Sequence, residues 1–130
     1  MSTTLTIDDL YTDAGAFDEQ KVLQTLQSKV AFTKSNDILF LVDPSKMKVN
    51  EAILLYILGK KILKFHNKID SEIITTAELA DKLKINRSTL GVTVMRLRDD
   101  KKMLISDGTG YELPTFKVEE VLSVLTGKSE

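Results

Sequence analysis

The chain has 130 residues, of which 42% are hydrophobic and 28% charged, and it contains no cysteine. This length suits one domain with a hydrophobic core, and this composition argues against intrinsic disorder. The lack of cysteine excludes a disulfide framework and a thiolate metal site, and the net charge of −1 argues against indiscriminate binding to polyanions.

The basic residues are concentrated in the middle of the chain. Residues 50–105 carry 11 basic and 7 acidic side chains (+4), residues 1–49 carry 5 and 7 (−2), and residues 106–130 carry 2 and 5 (−3). A locally positive surface favours a site-selective nucleic-acid binder. The apolar run 52–58 is too short to span a bilayer, and residues 1–10 lack the features of a signal peptide. We therefore expect a cytoplasmic protein without a membrane partner.

Residues 1–49 predict a helix followed by a strand. Four apolar residues at helical spacing between Val22 and Val30 predict a helix over residues 17–33. The continuous apolar run 38–42 predicts a buried strand, closed by Asp43-Pro44. We expect this part to be an N-terminal extension packed on the core.

The most apolar stretch of the chain predicts a long helix from Asn50, a good N-cap residue, to about His66. Residues 52–58 are apolar on every side of such a helix, so neighbouring elements must cover all of its faces. Residues 50–130 would then form, with the extension, a single compact unit. Gly59 in mid-helix indicates close packing against a neighbour.

The C-terminal half predicts an ordered series of short elements. Thr75 and Glu78 form a capping-box pattern before a helix over residues 77–84, and Asn86 can cap the next helix, residues 87–100. A short strand at 73–74 precedes these helices, and strands at 103–106 and 111–113 follow them, joined by a glycine-rich turn. A last helix is expected over residues 116–126, ended by Gly127.

The stretch 75–113 resembles the winged helix-turn-helix family. The sequence ELADKLKINRSTLGVTVMRLR (78–98) has small and branched residues where the two helices of that family pack, and MLISDGTGYEL (103–113) looks like its wing. Together with the long preceding helix and the helix after the wing, this stretch is similar to an archaeal-type winged-helix protein, which makes residues 50–130 the winged-helix domain. The resemblance implies an α+β, mostly α fold and binding to double-stranded DNA. Lys84 departs from it, because glycine is frequent at this tight turn.

In that family the second helix enters the major groove with its N-terminal turn first. Arginine can pair with guanine and asparagine with adenine, and a thymine methyl group can meet an apolar side chain. The candidate DNA-binding residues on helix 87–100 and its cap are Asn86, Arg87, Ser88, Thr89, Gly91, Val92, Met95 and Arg96. Lys82, Lys84, Lys101 and Lys102 could add positive charge at the flanks. The candidate wing residues are Asp107, Gly108, Thr109 and Gly110.

Structural interpretations compete with these assignments. Asn86 is adequately explained as a helix cap, and Arg98 favours a packed stem with a salt bridge. Exposed Val92 and Met95 fit a protein partner as well as a base methyl. Lys60, Lys61 and Lys64 are typical of a solvated helix face.

Catalysis is not indicated, because the sequence offers no nucleophile beside a base and no metal-ligand cluster. His66, the one histidine, lies near a helix end, where we expect it to be solvated or to interact with the helix dipole. We therefore expect no enzyme, no cofactor and no metal, but a sequence-selective transcription regulator. A homodimer would let two helices read a two-fold site, through the 17–33 helix or the last helix. The alternative is a winged-helix protein–protein interaction module in a larger assembly.

Overall fold

The computed structural model describes residues 17–106, 108 and 110–127, and the fold of this part is mostly helical, with two small antiparallel sheets. Its α-helices are α1 (Glu19–Gln27), α2 (Val49–Phe65), α3 (Thr76–Leu83), α4 (Arg87–Asp99) and α5 (Val118–Leu125). Its strands are β1 (Val30–Phe32), β2 (Ile38–Phe40), β3 (Ile105–Ser106) and β4 (Tyr111–Glu112). Short 3-10 turns, Pro44–Lys46 and Thr115–Lys117, precede α2 and α5. In this part of the chain no helix is long and apolar enough to cross a membrane.

Helix α2 is the centre of the core, as its apolar sequence predicted. It packs against α1, α3, α4, α5 and β2. Residues 52–59 and 61–63 are all buried, and Gly59 packs closely, since a Cβ there would lie 2.9 Å from Cδ1 of Ile38. The predicted cap is wrong, because α2 begins one residue before Asn50 and its N-cap, Lys48, makes no side-chain cap bond.

The N-terminal extension is a helix and a β-hairpin, not a helix and a single strand. The predicted helix 17–33 ends at Gln27, because the next apolar residues form β1, in which Val30 pairs with Phe40 of β2. Val30 is buried, as the helical spacing predicted, but it belongs to a strand and not to a helix. The prediction of a buried strand at 38–42 is also wrong, since only Ile38 is buried. A two-stranded sheet with one face on α2 leaves alternate side chains to solvent.

The predicted junction between α3 and α4 is confirmed. The Thr75 hydroxyl accepts a hydrogen bond from the Glu78 N–H at 3.1 Å and so caps α3. Lys84 ends the helix in the left-handed conformation (φ 60°, ψ 38°) that favours glycine, which turns the chain sharply toward α4. Leu79 and Leu83 of α3 are buried where α3 packs against α4.

The second hairpin is shorter than predicted, because each of its strands has two residues. It is joined to the segment before α3 by a bridge between Ile74 and Tyr111, the observed form of the predicted strand at 73–74. The last helix begins at Val118, since residues 115–117 form a 3-10 turn, and Gly127 follows its end with a φ of 76°.

Candidate nucleic-acid interface

The first turn of α4 is a capped and fully accessible helix start. The Asn86 side chain accepts a hydrogen bond from the Thr89 N–H, with 2.8 Å between Oδ1 and N. Asn86, Arg87, Ser88 and Thr89 are all exposed. The capping interpretation of Asn86 is thus confirmed, and its amide nitrogen points to no described acceptor. The Oδ1 atom retains a second lone pair, so capping leaves the amide able to meet a base edge.

The remaining residues of α4 divide into a buried face, an outer face and two flanks. Leu90, Val94 and Leu97 are buried, as predicted. Residues on a helix are about 100° apart, so the line directly opposite contains Ser88, Val92, Met95 and Asp99. Val92 is 51% and Met95 49% exposed, which confirms that this outer line is apolar in its middle.

Gly91 lies on one flank of α4, half-buried, and no packing requires it. A Cβ at this position would meet nothing within 4 Å. Glycine in mid-helix costs about 1 kcal/mol relative to alanine. Among the described residues, no contact requires a glycine at this position.

The C-terminal end of α4 carries both acidic and basic side chains. Asp99 and Asp100 are exposed there, beside a shallow hollow lined by Val92, Met95 and Arg96. Asp99 is paired with Arg98, whose Nε donates to Oδ1 at 2.8 Å and whose Nη2 donates to Oδ2 at 3.1 Å.

The Arg98–Asp99 pair affects both partners. The hydrogen bonds from the guanidinium lower the pKa of Asp99, and Asp99 raises the pKa of Arg98. The guanidinium also lies 5.9 Å from the ring centroid of Tyr111 in β4. The predicted salt-bridged stem of Arg98 is confirmed, and it leaves Arg98 little freedom to bind elsewhere.

The flank of α4 opposite Gly91 faces the start of α2 across a hollow. Thr93, Arg96 and Lys101 line one side of this hollow, and Val49 and Asn50 the other. Six exposed cations surround α4 and form none of the ion pairs found among the described residues. They are Lys82, Lys84, Arg87, Arg96, Lys101 and Lys102.

The hairpin turn lies partly outside the described residues, which omit Asp107 and Thr109. Gly108 is exposed with a φ of 97°, and its N–H donates to the Ser106 hydroxyl at 3.3 Å. Gly110 is buried, and a Cβ there would collide with the backbone carbonyl oxygen of Ile74. Gly110 thus has a structural role in joining the hairpin to the start of α3.

Three polar contacts that the sequence did not predict hold α2 against α3 and the segment before it. Glu78 was expected to reach back to its own helix start, but its carboxylate accepts a hydrogen bond from the Tyr56 hydroxyl (2.5 Å) and pairs with Lys60 (2.9 Å). Lys61, predicted to be solvated, is only 5% exposed and pairs with Glu72 at 3.0 Å. Each contact joins residues that are 11 or more positions apart in the chain, so the spacing of residues within one helix could not reveal it.

The Glu78 contact also changes the chemistry of Tyr56. Burial first, and the Glu78 carboxylate second, raise the pKa of Tyr56 far above its ordinary value of 10.0. Its hydroxyl therefore remains a donor at any physiological pH, and the contact from α2 to α3 persists.

His66 lies at the C-terminal end of α2, as predicted, and its Nε2 is 2.7 Å from a Glu19 carboxylate oxygen. Among the described residues no group of three or more acidic, histidine or cysteine side chains could hold a metal ion. Comparisons with protein-family models, curated proteins and solved structures gave no match.

Proposed function

We propose that this chain is a sequence-selective duplex-DNA-binding protein of the winged-helix type, a transcription regulator that reads the major groove with α4. One observation carries the proposal: a helix start that is capped, uncovered and lined by Asn86, Arg87 and Ser88, in the second helix of a tight α3–α4 pair. Such a helix start is the part of a helix-turn-helix that meets base edges. The β3–β4 hairpin follows α4 in the chain and is bridged to the segment before α3, and this order of elements supports the proposal.

Cations without a described ion-pair partner lie near both ends of α4: Lys82, Lys84 and Arg87 near its start, and Arg96, Lys101 and Lys102 near its end. The first turn carries no acidic side chain, whereas Asp99 and Asp100 lie at the other end, so phosphate would meet less local repulsion at the start of the helix. Arg87 is the residue that we expect to read a base, and Arg96 the one that we expect to contact phosphate.

The number of free cations sets the strength of the salt dependence. If all six cations around α4 neutralise phosphates, the slope of log K against log salt is about −5, because each contact contributes about −0.9. Replacing two of them with glutamate should make the slope shallower by about 2 and weaken binding at low salt by more than about tenfold.

Fluorescence anisotropy of a labelled mixed-sequence duplex, titrated at low and at physiological salt, tests the proposal. The Arg87→Glu, Arg96→Glu double variant should lose binding. A Lys34→Glu, Lys68→Glu variant, with the same change in net charge at two exposed lysines away from α4, should retain it. Loss of binding by the Arg87→Ala variant together with relaxed base preference would make Arg87 a base contact; an equal loss on all sequences would make it a phosphate contact.

A second candidate function is a protein–protein interaction module. The observation that favours it is the hollow beside half-exposed Val92 and Met95, because an apolar pair bordered by charges is typical of a protein contact. A folded protein without duplex affinity even at low salt would reject DNA binding and favour this function.

A further inference from the structure

Within the part of the chain that the structure describes, one edge of strand β2 is free. The Leu41 N–H donates to the Lys29 carbonyl at 2.8 Å, which identifies the hydrogen-bonded pairs of this hairpin. Such pairs alternate along an antiparallel ladder, so Leu39 and its β1 partner form the next one. The N–H and C=O groups of Ile38 and Phe40 must then point away from β1. No described residue forms a hydrogen bond with them.

This edge is short, since β2 has only three residues, but it lacks the other features that prevent strands of different chains from pairing. Residues 38–42 (ILFLV) contain no charge, no proline and no bulge. Leu39 and Leu41 are each 54% exposed, although they flank the packed Phe40. An apolar edge strand that no described residue pairs is a template for another strand.

We propose that two copies of this chain associate by antiparallel pairing of their β2 strands about a two-fold axis at Leu39, which gives a four-stranded sheet. The axis lies at Leu39 because the extended backbone is limited to residues 38–40 and the chain bends at Leu41 and Val42. Ile38 of each copy then lies opposite Phe40 of the other. Their outward groups form four backbone hydrogen bonds, and the two Leu39 side chains meet as a non-hydrogen-bonded pair.

The distribution of charges along β2 favours a second copy of the chain as the partner that pairs with this edge. The paired residues 38–40 contain no charged side chain, so no like charges face each other across the two-fold axis. Ala31, which lies across from Leu39 in the hairpin, extends the same apolar face over all four strands. A two-fold contact requires a surface that is complementary to itself, and this strand is one.

The dimer should be weak. An interface of four hydrogen bonds and one small apolar face buries less surface than the standard interface of about 1,600 Å². We therefore expect a dissociation constant in the micromolar range. The inference deepens the proposed function, since the second copy would supply a second α4 to a two-fold DNA site. It names a surface other than the two helices suggested by the sequence, and it uses no residue of the outer face of α4.

Cross-linking tests the register. A Leu39→Cys variant carries the only thiol in the chain. Directly opposite residues of a non-hydrogen-bonded pair have Cα atoms about 4.5 Å apart, within the range that a disulfide spans. Mild oxidation at about 100 µM should yield a covalent dimer at least about tenfold faster than in an Ile105→Cys control, which is similarly exposed on the other hairpin.

Sedimentation velocity without DNA tests the association itself. The wild type should form more dimer as its concentration rises, and a Leu39→Lys, Leu41→Lys variant should remain monomeric. An Ile105→Lys, Phe116→Lys variant, which places the same charges on exposed apolar sites elsewhere, should dimerise like the wild type. Circular dichroism would show that each variant is folded.

Three results would overturn the inference. The first is a wild type that remains monomeric up to about 500 µM, as expected if residues 1–16 of the same chain cover the edge. The second is a dimer that persists in the Leu39→Lys, Leu41→Lys variant. The third is a dimer that is lost only in a Val92→Lys, Met95→Lys variant. The third result would also mean that the dimer contact covers the outer face of α4, which would then not be accessible to DNA. A monomer that binds duplex DNA would reject the dimer alone, and a dimer without DNA affinity would reject the proposed function alone.

Discussion

Replacing Tyr56 with phenylalanine should destabilise the protein by a measurable and specific amount. The change removes the hydroxyl that donates to Glu78 and leaves the buried ring in place. A hydrogen bond to a charged acceptor contributes about 1.5–3 kcal/mol. Because the Glu78 side chain is 27% exposed and keeps its ion pair with Lys60, we expect the lower end, about 1.5 kcal/mol.

The same value predicts a shift in melting temperature. Unfolding entropy of about 2.1 cal/mol/K per residue gives about 0.27 kcal/mol/K for this chain, so Tm should fall by about 5–6 °C. Calorimetry and urea titration at neutral pH would measure both quantities. Tyr111→Phe is the matched control, because its ring contact with Arg98 survives the change; it should cost less than about 0.5 kcal/mol. Equal losses in the two variants would show that the Tyr56–Glu78 bond contributes nothing.

The raised pKa of Tyr56 adds a pH dependence to this prediction. Below pH 10 the tyrosine is neutral in both the folded and the unfolded chain. Above pH 10 the unfolded chain ionises while the buried hydroxyl does not, so the stability contributed by this site is lost as pH rises. The Tyr56→Phe variant should therefore lose less stability than the wild type between about pH 10 and 11. The same decline in both proteins would contradict this account.

Gly91→Ala should stabilise the free protein by about 0.5–1 kcal/mol, since a Cβ meets nothing there, and should weaken duplex binding in the anisotropy assay if DNA approaches this flank. Gly110→Ala should cost more than about 2 kcal/mol in urea titration, because its Cβ collides with the Ile74 carbonyl; a neutral result would refute the close approach. The pKa of Asp99 should lie below 3.8 in an NMR titration and return to about that value in Arg98→Gln. Its stabilising contribution is thus present above pH 3.8 and lost as pH falls.

The local structure at the start of α4 was the most predictable part of this molecule. Asn86 caps α4, Lys84 turns in the left-handed conformation, and Leu90 and Val94 are buried, all as predicted. Each of these features depends on residues within four positions of one another, for which helical geometry and capping chemistry suffice. The exposure of Val92 followed from the same geometry.

The extension and the polar contacts of α2 could not be predicted in this way. Val30 fits a helical stripe and a strand equally well, and only its pairing with Phe40 decides between them. Lys61 has no partner within its own helix turn; Glu72, eleven residues later, makes its burial tolerable.

The sequence by itself determined where the helices of the central and C-terminal parts lie and which side of α4 is apolar. The reason is that local backbone preferences and side-chain periodicity act within one or two turns. The tertiary structure decided which charges are neutralised, as with Glu78, and which backbone groups remain unpaired, as at the edge of β2. These depend on contacts between segments far apart in the chain, and only packing around α2 brings those segments together.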